Sequence, residues 1–557
     1  MSEPTTPSHN RNAEEREMKT ARSSQGQSRV PGATARDDQL QGGHMFAIRV
    51  ARSGFVALLL LLLAALPVRA QSFRVQCPTT TITHNPNSNF PGGIKCQQIS
   101  GGDGYSTMAD GVQTYMFSFG PLSGLADIRN GLPGTQPASI FNTPGDATSS
   151  TFNGAVGLTP DPDSVPPGQI DGHVDPRPIM DTGVMNGNIP APLMAIDEDD
   201  EFFLTLTNVG MIMRPDLFEK HTVHFHGYPN ASSFYDGVPD ASVAINIGGS
   251  FTYYYLAPDA GTYFWHCHIT PPEHLQMGMV GQIYVRPRQN RVAAGASLYG
   301  NSANPAAGDP ASLLAQQLDL RTACNAADVL CSTPLPPPPA APPLHANNKS
   351  GTPTLYAYND GDGSTAYDVE YPVQMHGFDP NFHFIGMTFN PEPFTDMKDK
   401  YFMLNGRSYP DTIAPGAMTT PSSDGALHYS QPLPTLINIP VGGKALLRIS
   451  NLDVTEYQTL ASLGIPMHVI AVNARLLRDM AGGDMTYYAN SITLGGGESL
   501  DVILDASNTA NYPVNSTYYL YTPNLDHLSN DAENFGGSMT EVHICGHVDP
   551  ATKQCLP

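Results

Sequence analysis

Positive charge is scarce in this chain. Its 557 residues hold 28 Lys and Arg against 51 Asp and Glu, a formal net charge of −23. Nucleic acid or an anionic lipid surface needs a basic face that this balance does not supply. Long helical patterns are also few, because 52 Gly and 51 Pro interrupt the chain throughout. What remains between them is short runs rich in Val, Ile, Thr, Tyr and Phe, such as Glu201 to Asn208 and Phe251 to Leu256. That pattern is an all-β sandwich pattern.

A membrane-spanning run is lacking too. The one long apolar stretch, Phe55 to Leu66, is too short to cross a bilayer. Arg49 and Arg52 precede it and Val68-Arg69-Ala70 follow it, so it reads as an export signal over 45–70, cleaved after Ala70. Residues 1–44 are polar and are expected to be a disordered or misassigned extension, with Met45 as the true start. Residues 1–70 carry nine Lys/Arg and six Asp/Glu, so without them the net charge moves from −23 to −26. Such a surface suits cations, either metal ions or basic redox proteins, and no membrane span is expected in the mature chain.

Cysteine is sparse and odd in number, at seven. Cys77 with Cys96, Cys324 with Cys331 and Cys545 with Cys555 are close enough in sequence to pair in an oxidising compartment, periplasmic or extracellular. Cys267 is then left over. The Pro-rich segment Thr333 to Leu344 can neither pair in a sheet nor continue a helix, and reads as a semi-rigid linker. The expected organisation is a first domain over 71–290 with a Gly/Pro/Asp-rich, loop-like insertion at 122–181, a linker over 291–350, and a second domain over 351–557.

The leftover cysteine lies in the richest stretch of the chain. His266-Cys267-His268 is followed by His274 and Met279, and upstream stands His221-Thr222-Val223-His224-Phe225-His226. Residues two apart on a strand share a face. His224 with His226, and His266 with His268, therefore point one way, while His221 and Cys267 point the other. If the two strands are neighbours, His221, Cys267, His274 and Met279 form one group and the four paired histidines a second. A thiolate, two imidazoles and a thioether are the donor set of a blue-copper centre. Zinc also accepts His and Cys but has no use for the methionine. A lone His-x-His pair is ordinarily a plain strand, but two pairs around a cysteine are not.

The order His226-Gly227, Asp236-Gly237-Val238-Pro239, Gly248-Gly249-Ser250-Phe251-Thr252-Tyr253, Ala260-Gly261-Thr262-Tyr263 resembles the first domain of the multicopper oxidases. Cys267, His274 and Met279 resemble the blue-copper signature of that family's last domain. The resemblance implies two cupredoxin-like Greek-key β-sandwich domains. It also implies type 1 copper at His221, Cys267, His274 and Met279, type 2/type 3 copper at His224, His226, His266 and His268, and an acid near the cluster at Asp236. As a turn residue before Gly237, Asp236 has an ordinary explanation as well. One departure from the family is the longer separation of Cys267 and His274. In the second half, Tyr401 to Asp411, Gly443 to Asn451 and His468 to Asn473 resemble a family domain without metal.

What the second half lacks is histidine pairs. The family's oxygen-reducing cluster takes four His-x-His pairs, and this chain has two. His527 stands alone, and His345, His376, His383, His428, His468, His543 and His547 are scattered. Three readings follow. The chain is a copper oxidase that passes electrons from a small-molecule or metal-ion donor through Cys267 to dioxygen, with the missing ligands coming from a second copy in a homo-oligomer. Or it is similar to the copper nitrite reductases, although these place an aspartate where His224 stands and an alanine where His268 stands. Or it is a type 1 copper electron carrier without catalysis. The first is favoured, because four paired histidines beside the cysteine have a use in a coupled cluster and little in a carrier.

Overall fold

A computed structural model describes residues 73–556 of the chain, apart from 146, 159–172, 228–231, 258, 296–297, 299–343, 349–352, 387–392, 422–426, 480 and 532. The export signal, residues 1–44, the Cys324–Cys331 pair and most of the Pro-rich linker lie outside the described residues. Among the described residues, no helix is long and apolar enough to cross a membrane.

Strands carry the fold, as the short β-branched and aromatic runs require. One sheet of the first half orders β2 (Gln113–Pro121), β1 (Ile94–Thr107), β4 (Glu201–Gly210) and β6 (Ser250–Leu256). The other orders β3 (Met194–Asp197), β8 (Val280–Arg286), β7 (Gly261–His266) and β5 (His224–Phe225). Their shared core includes Ile99, Phe117, Phe119, Leu204, Tyr253, Trp265 and Ile283, and Cys267 and Met279 belong to it. The second half repeats the plan. One sheet includes β9 (Val369–Phe378), β10 (Tyr401–Leu404), β12 (Lys444–Asn451), β14 (Met467–Val472) and β16 (Ser499–Asp505). The other orders β11 (Ile437–Pro440), β18 (Met539–Cys545), β17 (Thr517–Tyr521), β13 (Gln458–Leu463) and β15 (Ser491–Leu494). Val373, Leu447, Ile449, Val469, Val502 and Leu520 fill the space between them. The architecture is the all-β, cupredoxin-type one.

Two disulfides close, Cys77–Cys96 and Cys545–Cys555, and Cys267 is the free cysteine among the described residues. The stretch 122–181, read as loop, holds short helices at Leu125–Arg129, Ala138–Phe141 and Pro176–Gly183. The last of these starts where the Asp175 carboxylate accepts the Arg177 N–H and Pro176 fits the first turn. Hydrophobic periodicity cannot register helices this short.

Buried charge ties β7 and β8 to the second half. Glu370 of β9 takes Arg286 of β8 at 2.7 Å and Arg448 of β12 at 3.1 Å. The guanidinium pair holds its carboxyl far below the usual range, outweighing a burial penalty that acts in the opposite direction. Thr262 of β7 donates to Asp501 of β16 at 2.5 Å, and Gln282 of β8 donates to the Arg448 carbonyl at 2.9 Å. Glu370→Ala leaves Arg448, which is fully buried, without its nearer carboxylate, with only Asp501 at 3.8 Å remaining. A loss of about 3–5 kcal/mol follows, read as a lower urea midpoint with an unchanged slope.

Candidate metal centre

The register of three strands builds the site. β7 pairs with β8 so that His266 stands opposite Val280, and with β5 so that His266 stands opposite His224. One residue further on, the Cys267 N–H donates to the Met279 carbonyl at 3.0 Å, which puts those two side by side in the core. His221 is held by a reciprocal backbone bridge to Ile245 at 3.1 and 2.9 Å. His274 comes from α1 (Pro271–Gln276), which opens on two prolines in its first turn. This helix takes up the extra residues between Cys267 and His274, so the longer separation returns the imidazole to the thiol.

The first group is fully buried. His221, Cys267, His274 and Met279 have no exposed surface. His274 Nδ1 lies 3.4 Å from Cys267 Sγ and His221 Nδ1 lies 4.0 Å from it. A sulfur and a nitrogen bound to one ion at 120° stand about 3.8 Å apart, given bonds of about 2.3 and 2.05 Å, and the two separations bracket that value. The residues therefore fit a trigonal S,N,N ion. The Thr222 N–H donates to Sγ at 3.5 Å, a contact that stabilises a thiolate. Burial drives His221 well below its ordinary pKa, so this imidazole is neutral and free to ligate. Burial also acts to lower His274, but the neighbouring Cys267 and Glu219 overcome it and raise the group to about 9.

The second group gathers the paired histidines. His226 Nε2 and His266 Nε2 face each other at 3.0 Å, a spacing that two nitrogens about 2.0 Å from one ion would have at an angle of about 97°. The His224 ring lies 5.3, 5.5 and 5.1 Å from those of His226, His266 and His268, and His266 and His268 stack at 5.4 Å. His224 Nδ1 donates to the Asp236 carbonyl at 2.6 Å and His266 Nδ1 to the Cys267 carbonyl at 2.7 Å, which leaves each Nε2 for a ligand. The Asp236 carboxylate stands 3.6 Å from His224 Nδ1. That approach depends on Gly237, whose φ of 82° is left-handed and where a Cβ would fall 2.0 Å from the Val223 carbonyl. Burial lowers His226 to about 4 and also drives His266 well below its ordinary value, so both are neutral. His226, His266 and His268 open on a cavity of about 680 Å³, whose far wall includes Asp453, Glu456, Tyr457 and Glu498 of the second half.

The structure thus brings His221, Cys267 and His274 within ligand reach, and His224, His226 and His266 within another. His268 stacks beside the second set and Met279 packs beside the first. Three contributors were missed in the sequence. Glu219 Oε2 lies 3.5 Å from His274 Nε2, out of line for a full hydrogen bond but close enough to hold the ring. His376 reaches the Leu275 carbonyl at 3.1 Å, and His383 reaches Gln276 Oε1 at 3.0 Å. Both brace α1. Only Glu219 had a signal, its place two residues before His221.

Outer partners of ligating histidines fix ring orientation and basicity, and their loss costs about 10–100-fold in metal affinity. Glu219→Ala is expected to weaken copper at the Cys267 group by that factor while leaving the His224 group intact. Competitive titration with a chromophoric copper chelator checks it.

Residues 172–290, which contain both groups, match the family model described as multicopper oxidase. Among curated proteins the chain is similar to laccase abr2 of Aspergillus fumigatus, 34% identical over 109 residues, which are 19% of this chain and 17% of that one. It is also similar to the multicopper oxidase MmcO of Mycobacterium tuberculosis, 30% identical over 155 residues, covering 25% of this chain and 29% of that one. The chain therefore spans less than a third of these relatives. Among solved structures, the blue copper oxidase from Nitrosomonas europaea aligns over 81% of this chain and 85% of its own, with 16% identity and a TM-score of 0.44. Through residues 172–290 the chain is therefore similar to the multicopper oxidases, a family whose cofactor is copper.

Proposed function

We propose that the chain is an exported copper-dependent oxidoreductase that takes single electrons from a reducing substrate at the Cys267 group and delivers them to dioxygen at the histidine quartet. Copper bound at the two groups would supply the one-electron couples. The observation that carries the reading is covalent: Cys267 faces the first group while its chain neighbours His266 and His268 face the second. Three backbone bonds on either side of the Cys267 Cα thus connect a buried donor site to a cavity-facing acceptor site. Thr222 adds a second link, since its N–H donates to Cys267 Sγ at 3.5 Å and its hydroxyl accepts the His268 N–H at 3.0 Å.

The chain's own groups divide the work. His221 and His274 hold the thiolate side, with Met279 as the weak fourth donor and Glu219 orienting His274. His224, His226, His266 and His268 hold the oxygen side. Asp236, beside His224, is an acid positioned to pass protons to reduced oxygen. His224 and His268 favour dioxygen over nitrite, since they are two imidazoles that the nitrite-reducing relatives replace. The remaining ligands of a full cluster would come from a second copy of the chain, because the described second half presents carboxylates and no histidine to the cavity. The two disulfides support an exported location.

Full copper loading should give at least two coppers per chain, an intense blue absorption and oxygen uptake with an artificial one-electron donor. Metal analysis with electron paramagnetic resonance and an oxygen electrode tests this; fewer than two coppers without oxygen uptake would defeat the reading. Cys267→Ser should abolish the blue band, which arises from copper on thiolate, and a retained band would refute the ligand assignment.

A further inference from the structure

Two carboxylates meet behind the cavity wall, one of them, Asp453, lining it. Asp399 shortly precedes β10, and Asp453 follows β12. Their residues are 8% and 2% exposed. Both crowd the bare backbone of Gly377 in β9, where a Cβ would fall 2.1 Å from Asp399 Oδ2 and 2.6 Å from Asp453 Oδ2. The Thr455 hydroxyl bridges them, 2.5 Å from Asp399 Oδ2 and 2.9 Å from Asp453 Oδ1. A hydroxyl has one hydrogen to donate. It can bond both carboxylates only if it donates to one and accepts from the other, and the second must then carry a proton.

The surroundings point the same way. Gln276 Nε2 donates to Asp399 Oδ1 at 2.5 Å, Gln458 Nε2 donates to Asp453 Oδ2 at 2.5 Å, and the Thr455 N–H donates to Asp453 Oδ1 at 2.8 Å. These are neutral donors, enough for one negative charge and poor compensation for two. The titratable group facing the pair is His376 of β9, which senses Asp453; Glu456 gives only its backbone N–H to Asp453 Oδ1 at 3.3 Å, and its carboxylate is taken by His527. Behind them stand His383, which faces His376 and His274, and Asp379, whose carboxylate accepts the N–H groups of Asn381 and Lys398. Burial, and then the charge of Asp453, push Asp399 up to about 9.

Resting on the function proposed above, we propose that Asp399 and Asp453 share one proton across Thr455 and that this pair is an acid feeding the cavity, which Asp453 lines together with His226, His266 and His268. Reduction of one dioxygen to two waters takes four electrons from four one-electron oxidations of the reducing substrate, and four protons from solvent. In each transfer the O–H bond of the shared acid breaks and an O–H bond forms on reduced oxygen. The pair then regains a proton from water in the cavity. Gln276, two residues after His274 on α1, holds the outer carboxylate, so the acid is anchored to the same helix as the donor-site ligand.

Difference infrared spectroscopy of the full-length, copper-loaded protein in water and deuterium oxide tests the shared proton. The expected result is the C=O stretch of a buried carboxylic acid at neutral pH, shifted in deuterium oxide and absent from both Asp399→Asn and Asp453→Asn. Its absence from the unsubstituted protein, or its persistence in both variants, would overturn the shared proton. The feeding role is read from turnover: Asp453→Asn should slow oxygen uptake by about 10²-fold and enlarge the solvent isotope effect, while anaerobic bleaching of the blue band by the reductant keeps its rate. Unchanged uptake in a variant that has lost the acid band would overturn that role. If the unsubstituted protein takes up no oxygen, the proposed function fails and the feeding role with it, and the infrared result still decides whether the proton is shared.

Discussion

The alternation of side chains along one strand is the constraint on which the rest of the site depends. β7 ends at His266, and the next residues continue its zigzag, so Cys267 turns into the sandwich core while His266 and His268 turn away from it. A shift of one residue in the pairing of β7 with β8 would exchange the two faces. It would expose the thiol and bury the histidines that line the cavity. The register is fixed by the core it fills: Trp265 stacks on Phe119 at 5.4 Å on the face that must stay dry.

Fixing one strand this firmly needs support at its far end, and the second half supplies it. Thr262 is four residues before His266, and its side chain and carbonyl are held by Asp501 and Ser499 of β16. The next strand, β8, is held through Gln282 and Arg286 by Arg448 and Glu370. The Thr262 and Gln282 contacts are buried, so water does not compete with them, and a metal site requires its ligands within fractions of an ångström. The second half has no histidine pair of its own, yet it sets the position of the strand that carries them.

Legibility in the sequence followed the same physics. His224, His226, His266, Cys267 and His268 could be grouped from spacing alone, because a two-residue period needs nothing but a strand. The strands at Glu201–Gly210 and Ser250–Leu256 were readable for the same reason. His274 was less so. Its distance from Cys267 looked long when counted in residues, but a helix rises about 1.5 Å per residue where a strand rises about 3.3 Å, and α1 shortens the path. Glu219, His376, Asp399 and Asp453 were not readable in their roles. Each is an ordinary residue type whose function comes from a neighbour brought near by tertiary packing, and Asp399 and Asp453 meet only because Gly377 leaves room for both.

The two walls of the cavity are chemically unlike, and the difference is informative. On one side stand imidazoles that burial holds neutral; on the other are Asp453, Glu456 and Glu498. A wall of imidazole nitrogen donors gains net positive charge on binding cations, and in a partly buried space that charge is costly unless anionic groups stand nearby. Carboxylates in the opposite wall provide the balance without competing for the ring nitrogens, since Glu456 is engaged by His527 at 2.8 Å and Glu498 by the Gly495 N–H at 2.7 Å. A second half without histidine pairs is therefore still matched to the first. It contributes charge, held in place by its own hydrogen bonds, to a site whose ligands lie on the other side.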